Sequence, residues 1–299
     1  MSNQENKIVI WTDVDMDGAA SYLTLSWYLG QRYEVHTTTV KNFRERFLNW
    51  QNKNNIKHYK DVYILDLDVS NDYDIIDQKN ITIIDHHSTH INTKHVYTNA
   101  TTIIEECESC CKLILKHFKF AKTLTREQLR LIAIVNDYDC YKLQYPESND
   151  LNNIFWYGTG NRLLKFCDEF NSGFSKFTDF NLNIINLHNK RLQNLIENLE
   201  VYYTQINKDN QFYNVCSAFA DVSINEVSDY LMTKYDADIT IIVNLSSKAV
   251  SFRRKVGCPV NMGLLAKKLC EGGGHEAAGG GKITEIFTTF SKSFKLKTI

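Results

Sequence analysis

Apolar residues near the start of the chain gather into short β-branched runs that end on aspartate. Lys7 to Trp11 is one such run; an acidic segment, Thr12 to Gly18, follows it, and helix-compatible residues extend from Ala19 to Leu29. Val62 to Leu65 stops at Asp66, and Ile81 to Ile84 stops at Asp85. Three short strands, separated by stretches long enough for helical crossovers, predict an α/β domain with a mainly parallel sheet flanked by helices. Such sheets bind ligands beyond the carboxyl ends of their strands, where all three runs deliver an aspartate.

Thr125-Arg126-Glu127-Gln128 has the spacing of a capping box, with Leu129, Ile132 and Val135 on one helical face behind it. That helix runs into Asn136-Asp137-Tyr138-Asp139. From Asn181 to Ile206 apolar positions recur at helical spacing without Pro or Gly, which predicts a linker helix. Beyond it, Tyr213 to Ala220 and Ile239 to Leu245 read as strands, with Ala249 to Phe252 as a hairpin partner. Asn261 to Cys270 reads as a helix ahead of a glycine-rich segment. The expected organisation is a larger domain over residues 1–180, a linker helix over 181–207 and a smaller C-terminal α/β domain over 208–299.

Composition narrows the classes. The 299 residues are 43% hydrophobic and 23% charged, which is globular rather than disordered. Lys plus Arg is 34 and Asp plus Glu is 35, a net charge of -1. A protein that coats long duplex DNA needs more basic surface than that. Apolar stretches such as Leu131 to Val135 fall far short of the ~20 residues of a membrane span. The polar start, MSNQENK, has no apolar region behind it, so neither a signal peptide nor a membrane partner is expected. Of the eight cysteines only Cys107, Cys110 and Cys111 lie close together, which is weak ground for zinc. Thiols in a reducing cytoplasm are the simpler expectation.

Asp13, Asp15 and Asp17 stand at alternate positions ahead of Gly18. A solvated acidic loop is the bland reading, but carboxylates this close repel one another unless a cation neutralises them. An EF-hand loop also begins this way, yet its twelfth position needs Glu and here is Thr24. Haloacid-dehalogenase phosphatases resemble Asp15-Met16-Asp17-Gly18, but their aspartate chemistry leaves Asp85-His86-His87 idle. That second motif offers oxygen and nitrogen donors at a strand end, a mixture suited to divalent transition metals, manganese included. With Asp66 and Asp137 the donors suffice for two metal ions, which together generate and stabilise a hydroxide nucleophile.

In order and spacing, these motifs resemble the DHH phosphoesterases over most of the chain. They are Asp13-x-Asp15-x-Asp17-Gly18, Asp66 in ILDLD, Asp85-His86-His87, Asp137 in VNDYD, and Gly272-Gly273-Gly274-His275-Glu276-Ala277-Ala278-Gly279. The last closely matches the GGGHxxAAG signature of the DHH-associated substrate domain. The resemblance implies a two-manganese hydrolase, with Mg2+ or Co2+ as substitutes and the active site in the cleft between two lobes. Carried over by position, Asp15, Asp17, Asp66, His86 and Asp137 are the expected metal ligands, Asp66 bridging. Asp13 stands where many members have His, so its ligation is left open. His87 corresponds to a residue that binds metal or contacts the scissile phosphate, and Asp85 is expected to orient the neighbouring histidine. Asp68 and Asp139 rank second as ligands.

Six of the 13 glycines fall between Gly272 and Gly281. Besides a flexible turn, such a segment can cradle phosphate through exposed amides. It lacks the P-loop pattern, and its match to a Rossmann fingerprint follows a helix rather than a strand. The stretch from Lys248 to Lys268 holds Arg253, Arg254 and further lysines but no acidic residue. In the resembling family an arginine of this strand binds substrate phosphate, a task for which a guanidinium fork is suited. Alternation allows one of the pair to face substrate, and Arg253 is preferred over Arg254. Gly273, Gly274 and His275 complete the expected substrate-binding set, His275 also acting at the scissile phosphate.

The expected function is hydrolysis of phosphodiester bonds in short single-stranded oligonucleotides, as in nanoRNases and RecJ-like exonucleases. A cyclic or linear dinucleotide phosphodiesterase is the nearest alternative, and a metal-free structural relative the more distant one. The expected partners are a short single-stranded nucleic acid or a dinucleotide; a homodimer is left open.

Overall fold

The computed structural model describes residues 7–274 and 276–296, which divide between Ile185 and Asn186 into two compact units. The first unit runs β1 (Lys7–Thr12), α1 (Met16–Leu29), β2 (Glu34–Thr37), α2 (Val40–Gln51), β3 (Tyr59–Leu65), α3 (Tyr73–Ile76) and β4 (Ile81–Asp85). It continues through α4 (Ser88–Thr93), β5 (Thr101–Ile104), α5 (Cys110–His117), α6 (Arg126–Asp139), α7 (Glu147–Tyr157) and α8 (Arg162–Glu169). α9 (Asp179–Glu197) crosses the division between the units.

The five strands form one parallel sheet in the order β2-β1-β3-β4-β5. Alternation along each strand sorts side chains to two cores, as a sheet covered on both faces requires. Ile8, Ile10, Tyr63, Leu65 and Ile84 pack under α1, α5 and α6. Val9, Trp11, Val62, Ile64 and Ile83 pack with Phe43, Phe47 and Trp50 of α2. Every strand therefore ends on the same edge of the sheet, which brings the residues after β1, β3 and β4 side by side.

The capping box at α6 is present: Thr125 accepts from the Gln128 amide, and the Gln128 side chain accepts from the Thr125 amide. The acidic segment is less of a loop than its composition suggests. α1 begins at Met16, and Asp15 caps it by accepting from the Gly18 amide at 2.9 Å. Gly18 lies against the Asp13 backbone, where a Cβ would fall 2.5 Å from the Asp13 carbonyl oxygen.

In the second unit β6 (Val201–Lys208), β7 (Gln211–Phe219), α10 (Ile224–Tyr235), β8 (Ile239–Asn244) and β9 (Ala249–Arg254) come first. α11 (Met262–Cys270), β10 (Gly273–Gly274), β11 (Ala278–Lys282), α12 (Glu285–Ser291) and β12 (Lys295–Leu296) follow. They form a mixed sheet in the order β10-β11-β9-β8-β7-β6-β12. One face packs on α11 and α12, the other on α10.

The linker helix is shorter than the periodicity implies. α9 ends at Glu197, and residues 201–208 form β6, paired in register with β7 from Val201↔Ala218 to Lys208↔Gln211. Val-Tyr-Tyr-Thr is β-branched and aromatic, and a hairpin partner lies immediately downstream, so the strand prevails. No helix among the described residues is long and apolar enough to cross a membrane.

Candidate metal centre

Four segments converge at the carboxyl edge of the parallel sheet. Asp17 lies in the first turn of α1, Asp66 directly after β3, His86 and His87 directly after β4, and Asp139 at the end of α6. His86 Nε2 lies 3.3 Å from Asp66 Oδ1, 3.4 Å from Asp139 Oδ2 and 3.8 Å from Asp17 Oδ2. Two overlapping groups result, Asp66 with His86 and His87, and Asp17 with His86 and Asp139; within each the donor atoms lie inside 4.8 Å of one another.

Asp17, His86 and His87 are held from behind. The Cys110 and Cys111 amides, at the start of α5, donate to Asp17 at 2.6 and 3.1 Å. Asp66 has φ +57°, a left-handed backbone that aspartate tolerates better than most residues. Its Oδ1 is buried and accepts no hydrogen bond. His86 Nδ1 lies 3.1 Å from the Cys107 carbonyl, so that nitrogen carries the proton and donates. Asp85 is fully buried and takes His87 Nδ1 at 2.7 Å on Oδ1 and His90 Nδ1 at 2.7 Å on Oδ2.

The electrostatics follow from this crowding. Burial, then Asp15, push Asp13 up to about 7. Burial, then Asp17, push Asp139 up to about 8. Burial and the neighbouring aspartates also raise Asp15 and, strongly, Asp66. Burial disfavours charge on His87, but its bond to Asp85 outweighs that and raises it to about 9. His86 is likewise raised, the charges of Asp17, Asp139 and Asp85 overcoming its burial. Buried carboxylates that raise one another are relieved by a cation. With Nδ1 committed to Cys107, a neutral His86 turns the Nε2 lone pair toward three carboxylate oxygens. Without a cation, a proton must sit between them, either on that ring or on one of the raised carboxyls. An orphaned Asp66 oxygen, this nitrogen and the surrounding carboxylates fit divalent metal ions that accept mixed N and O ligands.

Not every sequence candidate takes part. Asp137 is 3% exposed and spent elsewhere: Oδ1 accepts from the Gln144 amide, and Oδ2 from the Tyr145 amide and Ser148 hydroxyl. Those bonds outweigh its burial and lower its pKa. Asp139 replaces it in the cluster, because two residues apart on a helix means about 200° of rotation and one of them must face away. Asp15 and Asp13 border the group; Asp15 caps α1, and Asp13 accepts from the Val14 amide. Asp68 accepts from the Ser70 amide and hydroxyl. His90 and its partner Tyr97 escaped the sequence reading, since a lone histidine three residues past a His pair carries no spacing signal of its own.

In the second unit Arg253 and Arg254 leave β9 on opposite faces. Arg253 donates to Asn225 Oδ1 at 3.0 Å and to the Phe252 carbonyl. Arg254 donates to the Cys258 and Val260 carbonyls and pairs with Glu276 at 3.1 Å. Gly273 and Gly274 are exposed and pair antiparallel with Gly280 and Gly279, so these glycines belong to strands rather than to a free turn. Its glycines let backbones approach: a Cβ on Gly279 would fall 2.5 Å from the Met262 carbonyl oxygen. His275 lies outside the described residues.

Residues 7–135 match the model of the DHH family, N-terminal domain. No curated protein matches the sequence. Among solved structures, a pGpG-specific phosphodiesterase, PggH, from Vibrio cholerae matches at TM-score 0.60 and 15% identity, over 96% of each chain. An exonuclease RecJ bound to manganese matches at TM-score 0.53 and 12% identity, over 97% of this chain and 89% of its own. An exopolyphosphatase-related protein from Bacteroides fragilis matches at TM-score 0.51 and 14% identity, over 97% and 91%. At these identities the likeness is one of fold.

Proposed function

We propose that this chain, whose residues 7–135 are a DHH family N-terminal domain, is a metal-dependent phosphoesterase that cleaves phosphodiester bonds in short single-stranded oligonucleotides. The observation that carries the reading is His86 Nε2, set within 3.8 Å of carboxylate oxygens from three separate segments. Asp17, Asp66, His86, His87 and Asp139 would hold two divalent ions, Mn2+ foremost and Mg2+ or Co2+ as substitutes, with Asp13 and Asp15 beside them. Bound there, such ions supply Lewis acidity and an acidified water at neutral pH. The chain's own work is to hold those donors in place and to keep His87 Nδ1 on Asp85, so that Nε2 faces the reacting groups.

Substrate binding is assigned to the second unit. Arg253 is the proposed phosphate-binding fork, a charge-assisted contact. Arg254, Gly273, Gly274 and His275 are its proposed neighbours. A near-zero net charge favours short substrates, because long strands reward an extended basic groove. A cytoplasmic setting belongs to the proposal, since all eight cysteines are free thiols, the form a reducing compartment maintains.

A second reading, a dinucleotide phosphodiesterase, is favoured by the match to the pGpG-specific enzyme across 96% of both chains. Metal-loaded protein assayed on dinucleotides, cyclic dinucleotides and RNA or DNA of graded length separates the two. A kcat/KM that peaks at five or so nucleotides supports the first, and a peak at linear or cyclic dinucleotides the second. No Mn2+-dependent cleavage of any of them would overturn both, leaving the structural relative.

A further inference from the structure

The hydrogen bonds behind His87 continue two residues further than any motif reaches. His90, in α4, is fully buried, and its Nδ1 is 2.7 Å from Asp85 Oδ2. Its Nε2 is 2.9 Å from the hydroxyl of Tyr97, a half-buried residue packed against the α2-side core. Asp68 Oδ1 is 3.9 Å from His90 Nδ1, too far to compete, and is already engaged by Ser70. A carboxylate only accepts, so both imidazoles must present Nδ1–H to Asp85. That leaves the His90 Nε2 lone pair to accept from Tyr97. Burial, then the charges of Asp68 and Asp85, raise the Tyr97 pKa and keep the phenolic proton in place.

We propose that His90 and Tyr97 are positioning residues for His87, fixing its tautomer and ring plane through Asp85 so that Nε2 faces Asp66 and His86. A carboxylate tied at one oxygen can swing about its Cβ–Cγ bond. Tied at both, by His87 on one side and His90 on the other, it presents one plane to the imidazole it orients. Tyr97 in turn decides which way the His90 ring faces. Neither residue touches a reacting atom. The inference rests on the metal-centre reading for its consequence, though not for its geometry.

Two substitutions divide the bonds. His90→Asn places an amide nitrogen where Nδ1 stands and keeps the donor to Asp85. His90→Gln places its amide near Nε2 and loses that donor. The readouts are a Mn2+ binding isotherm and the imidazole 15N shifts of His87 in the metal-free chain, recorded above its raised pKa of about 9 so that the ring is neutral and its tautomer is read. In His90→Gln, Mn2+ affinity is expected to fall about tenfold to a hundredfold, the usual range for losing a group that orients a ligand. His87 should then show a mixture of tautomers. His90→Asn should bind close to the wild-type affinity and keep His87 protonated on Nδ1. Tyr97→Phe, which keeps the ring and its packing, should shift both readouts in the same direction by less.

Wild-type His87 shifts and wild-type Mn2+ affinity in a folded His90→Gln would overturn the proposal, as would His90→Asn failing as badly as His90→Gln. If His90→Gln does not fold, unchanged His87 shifts in Tyr97→Phe overturn it instead. Should the wild-type chain take up no Mn2+, the metal reading fails, while the His87 shifts still decide the positioning role.

Discussion

The two aspartates that close α6 are two residues apart and have opposite fates. Asp137 points into the turn after the helix, accepts three hydrogen bonds, and is held below the usual carboxylate range. Asp139 points to the sheet edge, meets other carboxylates, and is pushed up to about 8. Asp85 and Asp77 belong with the first kind: each has its oxygens filled and a lowered pKa despite some burial. Asp66 belongs with the second, buried with an oxygen that accepts nothing. A buried carboxylate whose acceptors are filled is part of the scaffold. One left wanting a positive charge marks where a ligand goes.

Removing members of each kind should break the comparison in opposite directions. Asp66→Ala is expected to abolish Mn2+ binding and turnover, read by titration calorimetry and by the substrate assays. Asp139→Ala should likewise lose metal, while the metal-free protein melts no lower than wild type, because a carboxyl whose ionisation its neighbours oppose has been removed. Asp137→Ala should do the reverse and destabilise the chain by about 1.5–3 kcal/mol in urea, the loss of hydrogen bonds to a charged acceptor. If Asp137→Ala lost metal and kept its stability, the assignment of the two aspartates would be inverted.

Gly18→Ala sharpens the point at the backbone. Alanine is the better helix former by about 1 kcal/mol, yet here its Cβ would meet the Asp13 carbonyl oxygen at 2.5 Å. The clash should win, costing about 1–3 kcal/mol, typical of overpacking, and weakening Mn2+ binding as Asp15 and Asp17 shift. An unaltered denaturation midpoint would mean that the Asp13 segment yields freely.

The smallest effect concerns Asp77, which accepts from Thr98, Asn99 and Ala100 and so pins the segment leading into β5. These bonds outweigh its partial burial and lower its folded pKa. A depressed carboxyl contributes stability that is present above its unfolded pKa and lost as pH falls through the folded value. Wild type should therefore lose stability more steeply than Asp77→Asn as pH drops below about 4. Parallel curves for the two proteins would remove Asp77 from the scaffold class.

The strands that carry the site were legible because each is a β-branched run ending abruptly on aspartate. β2 and β5 were not: Glu34–Thr37 and Thr101–Ile104 are four-residue edge strands, polar enough to read as loop. β6 was hidden by an apolar spacing that suits a helix and gives way to hairpin pairing. Asp139 follows Val135 by four residues and Ile132 by seven, so the α6 pattern itself favoured it, but the position carried over from the family motif pointed to Asp137. His90 and Tyr97 carry no signal at all until Asp85 is seen to have a second oxygen in need of a donor.

The wall behind the cluster has a bearing on folding kinetics. Residues 107–111 touch it twice, through the Cys107 carbonyl on His86 and the Cys110 and Cys111 amides on Asp17, 93 and 94 residues away in sequence. Loops that long close late, after the local turns and helices around them have formed. If these contacts form only after the rate-limiting barrier, the donor set is absent when that barrier is crossed. A cation that recognises only the finished set lowers the native state and leaves that barrier where it was. In chevron plots with and without Mn2+, the unfolding limb should drop while the folding limb stays in place. Displacement of the folding limb would place cluster assembly before the barrier.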